Sequence, residues 1–239
     1  MLVKPCPLVL ELEARDTGYV WRTMHDSRRA LHDVSATFAA GTPHFICGPS
    51  GSGKSTLGLL LAGLMKPTEG SVRLDSHEPE LQRNRIAYVF QFPETLFFCD
   101  TVREELADIS ESRLPAESSV FEDLGIVYAD VRDRNPHLLS EGYARLTAIA
   151  LQLSRHTDVL ILDEPTIGLD WKRQERVIAA LRRQSTPDRL VIIITHDLDM
   201  LYALGGSTLV LLEGRQVWHG RSADLVDDTI RLKQFGLAT

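Results

Sequence analysis

The sequence predicts an α/β fold interrupted by a helical insert. Three apolar runs carry the first half of that expectation: "FIC" (45–47), "VLILDEP" (159–165) and "LVIIITHD" (190–197). They lack the alternation of a half-exposed strand, so they read as strands buried on both faces of a parallel sheet covered by helices. Residues 101–154 carry the second half. There Glu, Ala, Leu and Arg recur at helical spacing with few β-branched runs.

In chain order, "LVLELEA" (8–14) sets Leu8, Leu10 and Leu12 against Glu11 and Glu13, the pattern of a half-exposed strand. The stretch 16–30 is polar and turn-rich. The strand at 45–47 ends at Gly48, and "STLGLLLAGLM" (55–65) predicts a helix stopped by Lys66-Pro67. "GSVRL" (70–74) and "RIAYVFQ" (85–91) predict further strands. After the insert come the strand 159–165, a helix over 171–184 and the strand 190–197. A hairpin turning at Glu213-Gly214 within 208–220 closes the chain. The order is a mixed-sheet start, an α/β core, a helical insert and an α/β return, in 239 residues that suit one large domain or two small ones.

A net charge of −7 opposes a nucleic-acid partner, which calls for a basic face, but leaves room for a small basic pocket. Cys6, Cys47 and Cys99 are far apart and the eight histidines are scattered, neither with metal-ligand spacing. The cysteines read as reduced, mostly buried thiols of a cytoplasmic protein. "CPLVLEL" (6–12) is broken by Glu11 and has no cleavage-type ending, so no signal peptide is expected. The longest apolar run, 57–65, is far below the roughly 18–20 residues that span a bilayer, so a membrane connection is expected through a partner.

"GPSGSGKST" (48–56) supplies the chemistry. Gly48, Gly53, Lys54 and Ser55 fit G-x-x-x-x-G-K-[ST] between a strand and a helix, the context that a phosphate-binding loop requires. Gly48, Pro49, Ser50, Gly51, Ser52 and Gly53 form a loop whose N–H groups can converge on an anion. The following helix, entered through Lys54, Ser55 and Thr56, adds its positive end. Lys54 can reach β- and γ-phosphates, and Ser55 offers a hydroxyl to Mg²⁺. Asp163 and Glu164 end an apolar strand, where a buried carboxylate needs a partner. Mg²⁺ is that partner for Asp163, directly or through water. Glu164 is then left to face the attacking water as general base or positioning group. Guanine readers commonly carry Asn-Lys-x-Asp, whereas Asn84 is followed by Arg85 and Asn135 by Pro136. An adenine stacked on an aromatic ring, Tyr19 or Trp21, fits better.

With these motifs in order, the chain resembles an ATP-binding cassette (ABC) ATPase over nearly its full length. Gly48–Thr56 looks like the Walker A loop and Val159–Glu164 like the Walker B strand with its catalytic glutamate. Gln91 matches the Q-loop glutamine, "TIGLD" (166–170) the D-loop and His196 the switch histidine. Tyr19 is the candidate for the aromatic of the A-loop. The resemblance implies a P-loop NTPase fold: a mixed β-sheet core, an N-terminal antiparallel β subdomain and an inserted α-helical subdomain. Residues 1–90 and 155–239 would form the core and 91–154 the insert. It also implies catalytic roles for Glu164, His196, Gln91 and Lys54, a cation held by Ser55, Gln91 and Asp163, and ATP with Mg²⁺ as ligands.

The signature motif departs from the family pattern Leu-Ser-Gly-Gly-Gln: residues 139–143 read Leu-Ser-Glu-Gly-Tyr. Ser140 and Gly142 remain at the start of a helix expected over 141–154, which in the family points at the γ-phosphate on the opposite subunit. "VFQFPETLFFCDTVREELA" (89–107) is similar to the Q-loop region of energy-coupling-factor transporter ATPases, which power vitamin, cobalt or nickel uptake. Its Phe92, Phe97 and Phe98 are expected to line a groove for helices of a membrane partner. The resemblance implies a second ABC ATPase subunit, in a homo- or heterodimer, an integral membrane transporter subunit, and a place on the cytoplasmic face of the membrane. Two other readings stand beside it: a soluble cassette with a regulatory or assembly role, and a subunit that binds ATP without hydrolysing it.

Overall fold

The computed structural model describes residues 10–23, 26–109 and 114–237, with the side chains of 114–118 left aside. Its strands are β1 (Glu11–Arg22), β2 (Ser27–Ala39), β3 (His44–Cys47), β4 (Glu69–Leu74), β5 (Ile86–Val89), β6 (Val159–Asp163), β7 (Leu190–Ile194), β8 (Ser207–Leu212) and β9 (Arg215–Arg221). They form one nine-stranded sheet in the order β4-β1-β2-β9-β8-β3-β7-β6-β5. From β8 to β5 all neighbours are parallel. The apolar runs dictate this half of the sheet. Phe45, Leu160, Leu162, Val191 and Ile193 face one buried cluster. Their alternates Ile46, Val159, Ile161, Ile192 and Ile194 face a second. A strand with period-2 side chains can be apolar throughout only if both its faces are covered.

The N-terminal strands are antiparallel: β1 pairs with β2 on one side and β4 on the other. Here the sequence expectation needs correction. The polar stretch 16–30 is mostly strand, since β1 continues to Arg22 and β2 begins at Ser27. Nor did "LHDVSATFA" (31–39) stand out as a strand, although it supplies the buried Leu31, Val34, Ala36 and Phe38. One face of this antiparallel layer meets solvent, which explains its polarity. Leu8 and Val9 of the expected first strand lie outside the described residues. Several elements are also shorter than expected. β5, β6 and β7 stop at Val89, Asp163 and Ile194, so that the polar residues after them sit in loops.

The helices are α1 (Lys54–Leu61), α2 (Val102–Ile109), α3 (Leu114–Asp123), α4 (Tyr128–Val131), α5 (Glu141–Leu153), α6 (Trp171–Gln184), α7 (Leu198–Leu204), α8 (Ser222–Val226) and α9 (Thr229–Gln234). α2 to α5 lie between β5 and β6 in the chain. α6 starts where Asp170 caps it, its carboxylate accepting the N–H of Arg173 at 3.0 Å, and it buries Val177, Ala180 and Leu181.

One ion pair holds α5 against the turn after β5. Arg145 on α5 has 4% of its side chain exposed and Glu94, in the turn after β5, 15%. The guanidinium donates to both carboxylate oxygens, at 2.6 and 3.3 Å, and to the carbonyl of Ile167. Its carbon lies 5.1 Å from the centre of the Phe92 ring. Removing one partner strands the other charge in the interior, which costs far more than replacing both. Arg145→Met is therefore expected to lower the unfolding free energy by about 3–5 kcal/mol. The double change Arg145→Met with Glu94→Leu should recover most of the loss. Denaturant melts of the three proteins check both outcomes.

Candidate nucleotide site

The site grows from the turn between β3 and α1. Gly48 has φ 149° and Gly53, which precedes the first helical residue, has φ 100°. A Cβ at Gly48 would stand 2.1 Å from the carbonyl oxygen of Leu211, and one at Gly53 would stand 2.7 Å from that of Ala30. Only glycine lets the loop press against β8 and β2. The hairpin turn after β8 anchors it, Gly214 N donating to Ser52 O at 3.0 Å. Lys54 folds back across the loop and donates from Nζ to the carbonyls of Gly48 (2.7 Å) and Pro49 (3.0 Å). Burial pushes its pKa below the ordinary lysine value, and Glu164 pulls it back up.

Above the loop opens a cavity of about 830 Å³. Gly48, Pro49, Ser50, Gly51, Gly53, Lys54, Ser55, Thr56, Gln91, Asp163, Glu164 and His196 all line it. Ser52 is buried behind the loop. Ser140 and Gly142 are elsewhere, at the start of α5. Ser140 stands at the helix cap without a side-chain capping bond. The guanidinium of Arg173 crowds Gly142, with Nη1 2.8 Å from where a Cβ would be, and lies over the Tyr143 ring. Tyr19 does not line the cavity either. It packs against the apolar cluster and meets Trp21 edge-on at 5.1 Å. Trp21, 44% exposed, is the aromatic on the cavity wall. Register shifts around Thr17 and Tyr19 in the β1–β2 ladder decide which ring reaches the wall, and no spacing in the sequence shows them.

The consecutive acids Asp163 and Glu164 point to different partners. Asp163 ends β6 and is buried. Burial pushes its carboxyl up, while hydrogen bonds from Ser55 and from Tyr88, whose hydroxyl donates at 3.0 Å, hold it down. Glu164 has left-handed backbone, φ 49°, a conformation that costs a non-glycine residue about 1–3 kcal/mol. Its N–H donates to Ile194 O at 2.8 Å, which fixes it against β7. Its carboxylate accepts the Thr195 hydroxyl at 3.1 Å and Nδ1–H of His196 at 2.7 Å. A carboxylate only accepts, so that contact places hydrogen on Nδ1 and leaves Nε2 of the exposed imidazole turned to other partners. Thr195 and Tyr88 were not singled out in the sequence; a tyrosine inside an apolar strand reads as core.

Ser55, Gln91 and Asp163 offer only oxygen donors, a set that fits a hard divalent cation. The same three residues also border a second, smaller groove of about 390 Å³, whose other walls include Leu59, Phe90, Phe92 and Leu96. Of the phenylalanines expected there, Phe92 lines it. Phe97 is instead buried, packed edge-on against His137 at 5.7 Å. Phe98 is exposed but is not part of the groove.

Comparison with known proteins agrees with this geometry. The ABC transporter family profile matches residues 31–167. The chain is 34% identical over 222 residues to the energy-coupling factor transporter ATP-binding protein EcfA2 of Streptococcus thermophilus, covering 87% of this chain and 79% of that protein. It is 33% identical over 209 residues to EcfA2 of Thermotoga maritima, covering 84% and 78%. Among solved structures it is similar to CbiO1 of Clostridium perfringens, described as part of the ABC transporter complex CbiONQ. That match has a TM-score of 0.75 and 26% identity, covering 96% of this chain and 95% of the other. A dimeric ATP-binding cassette bound to ADP and Pi matches with TM-score 0.76 and 25% identity, covering 88% and 98%. Fold, site and sequence similarity converge: the chain belongs to the ABC transporter family, as an ATP-binding cassette that hydrolyses ATP.

Proposed function

We propose that this chain is the ATPase subunit of an energy-coupling-factor-type importer of a vitamin or metal ion, paired with a second cassette and bound to an integral membrane subunit. The observation that carries this reading is a shared wall: Ser55, Gln91 and Asp163 belong both to the nucleotide cavity and to the apolar groove beside it. Phe90, Phe92 and Leu96 are large, apolar and exposed there, and such a patch suits an amphipathic helix of a partner. Among the described residues no helix is long and apolar enough to cross a membrane, so the membrane step belongs to that partner. EcfA2 is named for an energy-coupling factor transporter and CbiO1 as part of a transporter complex, which supports the same assignment; in this reading the chain sits on the cytoplasmic face of the membrane. Residues 91–154 act in this reading as a helical subdomain that carries both the groove and the signature helix.

In the proposed cycle, the triphosphate lies along the loop, met by its N–H groups, by the positive end of α1 and by Lys54. Ser55, Asp163 and Gln91 would hold a divalent cation, which when bound neutralises charge on the β- and γ-phosphates. Glu164 orients a water towards the terminal phosphorus and accepts its proton as the bond to the leaving ADP breaks. Thr195 and His196 hold that carboxylate in place. Two cassettes close head to tail around ATP, and hydrolysis releases them. Gln91 carries the change into the groove, so ATP shifts the population of partner conformations.

Glu164→Gln keeps the size and removes the base. Its phosphate-release rate should fall by about 10²–10⁴-fold, and an ATP-bound dimer should accumulate on size-exclusion chromatography. Normal turnover in this variant would remove Glu164 from its role. Glu141 is exposed at the first position of α5 and puts a negative charge where the family has glycine. Facing a phosphate about 6 Å away, that charge costs at most roughly 3 kcal/mol at an effective dielectric of about 20. Glu141→Gly should therefore raise the ATPase rate of the assembled complex. An unchanged or lower rate would show that the side chain turns away from the partner's nucleotide.

A further inference from the structure

We propose that Arg28 is a nucleotide-binding residue that takes the α-phosphate, the one between the base and the loop; the inference rests on reading the cavity as an ATP site. Arg28 lines the cavity from the start of β2. It pairs in register with Trp21 on β1, and residues directly opposite in an antiparallel ladder project to the same face. Both side chains therefore belong to one wall of the cavity. From there Arg28 reaches over the loop, its Nη2 3.9 Å from the point where a Cβ on Gly51 would sit.

Its charge is uncommitted. The adjacent Arg29 also lines the cavity, but it is paired with Glu69 and donates from Nε to Leu31 O at 3.3 Å. The Arg28 side chain has no hydrogen bond or ion pair among the described residues, and it is exposed. An arginine that neither packs nor pairs contributes little to the fold. A guanidinium presents forked N–H donors that match phosphate oxygens, and it remains charged at every physiological pH. A base against Trp21 and terminal phosphates in the loop leave the α-phosphate in the interval that Arg28 overlooks. Lys54, folded back on Gly48 and Pro49, serves the far end of the chain of phosphates. The two cations thus divide the triphosphate between them.

Titration calorimetry of the purified full chain with ATP and with ADP tests this, using Arg28→Ala, Arg28→Gln, Arg28→Lys and Lys54→Ala. Arg28→Ala and Arg28→Gln should weaken both nucleotides by roughly tenfold or more and by the same factor, since ATP and ADP share the α-phosphate. Arg28→Lys should recover part of the loss. The affinity of Arg28→Gln should also fall less steeply with added salt than that of the unaltered chain. Affinity unchanged in both Arg28→Ala and Arg28→Gln overturns the proposal. So does a loss confined to ATP, which would place the contact at the γ-phosphate. A strong loss in Lys54→Ala with none in the Arg28 variants removes Arg28 alone. Undiminished binding in Lys54→Ala removes the reading of the cavity itself.

Discussion

The molecule is organised around one electrostatic problem, that of holding a polyanion against a protein interior. The answer lies in the backbone. Where β3 gives way to α1, the chain must turn tightly enough to aim several N–H groups at one point, and it must do so wedged between the Leu211 and Ala30 carbonyls. Side chains at Gly48 or Gly53 would break that wedge. The surrounding sheet follows from it. β3 is central among the parallel strands, with β8 and β7 on either side, so the loop at its end is braced from both flanks. Net charge contributes nothing here: a chain at −7 can still cradle phosphates, because the cradle is built of main-chain dipoles and one or two cations.

The same logic separates the two acids. Asp163 and Glu164 are adjacent in sequence, yet the left-handed turn at Glu164 sends their carboxylates apart. One lies beside Ser55 and Tyr88, in a place where burial alone disfavours its charge. The other is held at the cavity rim by Thr195 and His196, which follow the neighbouring strand β7. Strain of about 1–3 kcal/mol at one residue thus gives two adjacent carboxylates two different sets of partners. The hydrogen bond from Glu164 N to Ile194 O keeps that strain in place.

How much of this was legible in the sequence depended on whether a feature is local. The loop, the acids and His196 are short motifs at strand ends, and the buried parallel strands announce themselves by unbroken apolarity. The antiparallel N-terminal layer did not, because its solvent face carries the polar residues that resemble a loop. Tyr19 was expected on the cavity wall ahead of Trp21, and the order is reversed, since the answer lies in bulges of the β1–β2 ladder. Phe97 was expected in the groove and is in the core. Phe92 and Phe97 are separated by a one-turn 3-10 segment, Pro93–Leu96, whose exit direction decides which ring faces out. Arg28 was invisible for a related reason: it matters only through the strand it opposes.

Arg145 joins the insert to the catalytic loops. It touches the turn after Gln91 through Glu94, the segment after Glu164 through the Ile167 carbonyl, and its own helix α5, which begins with the signature residues. A buried ion pair is a poor source of net stability compared with apolar packing. What it supplies is direction, since a guanidinium donates to its carboxylate and carbonyl partners in its own plane. α5 is therefore fixed both to Glu94, next in sequence to the groove residue Thr95, and to Ile167 on the cavity wall. A rigid polar joint at this crossing fixes the mutual geometry of α5 and the two loops, where apolar packing would add stability without fixing direction.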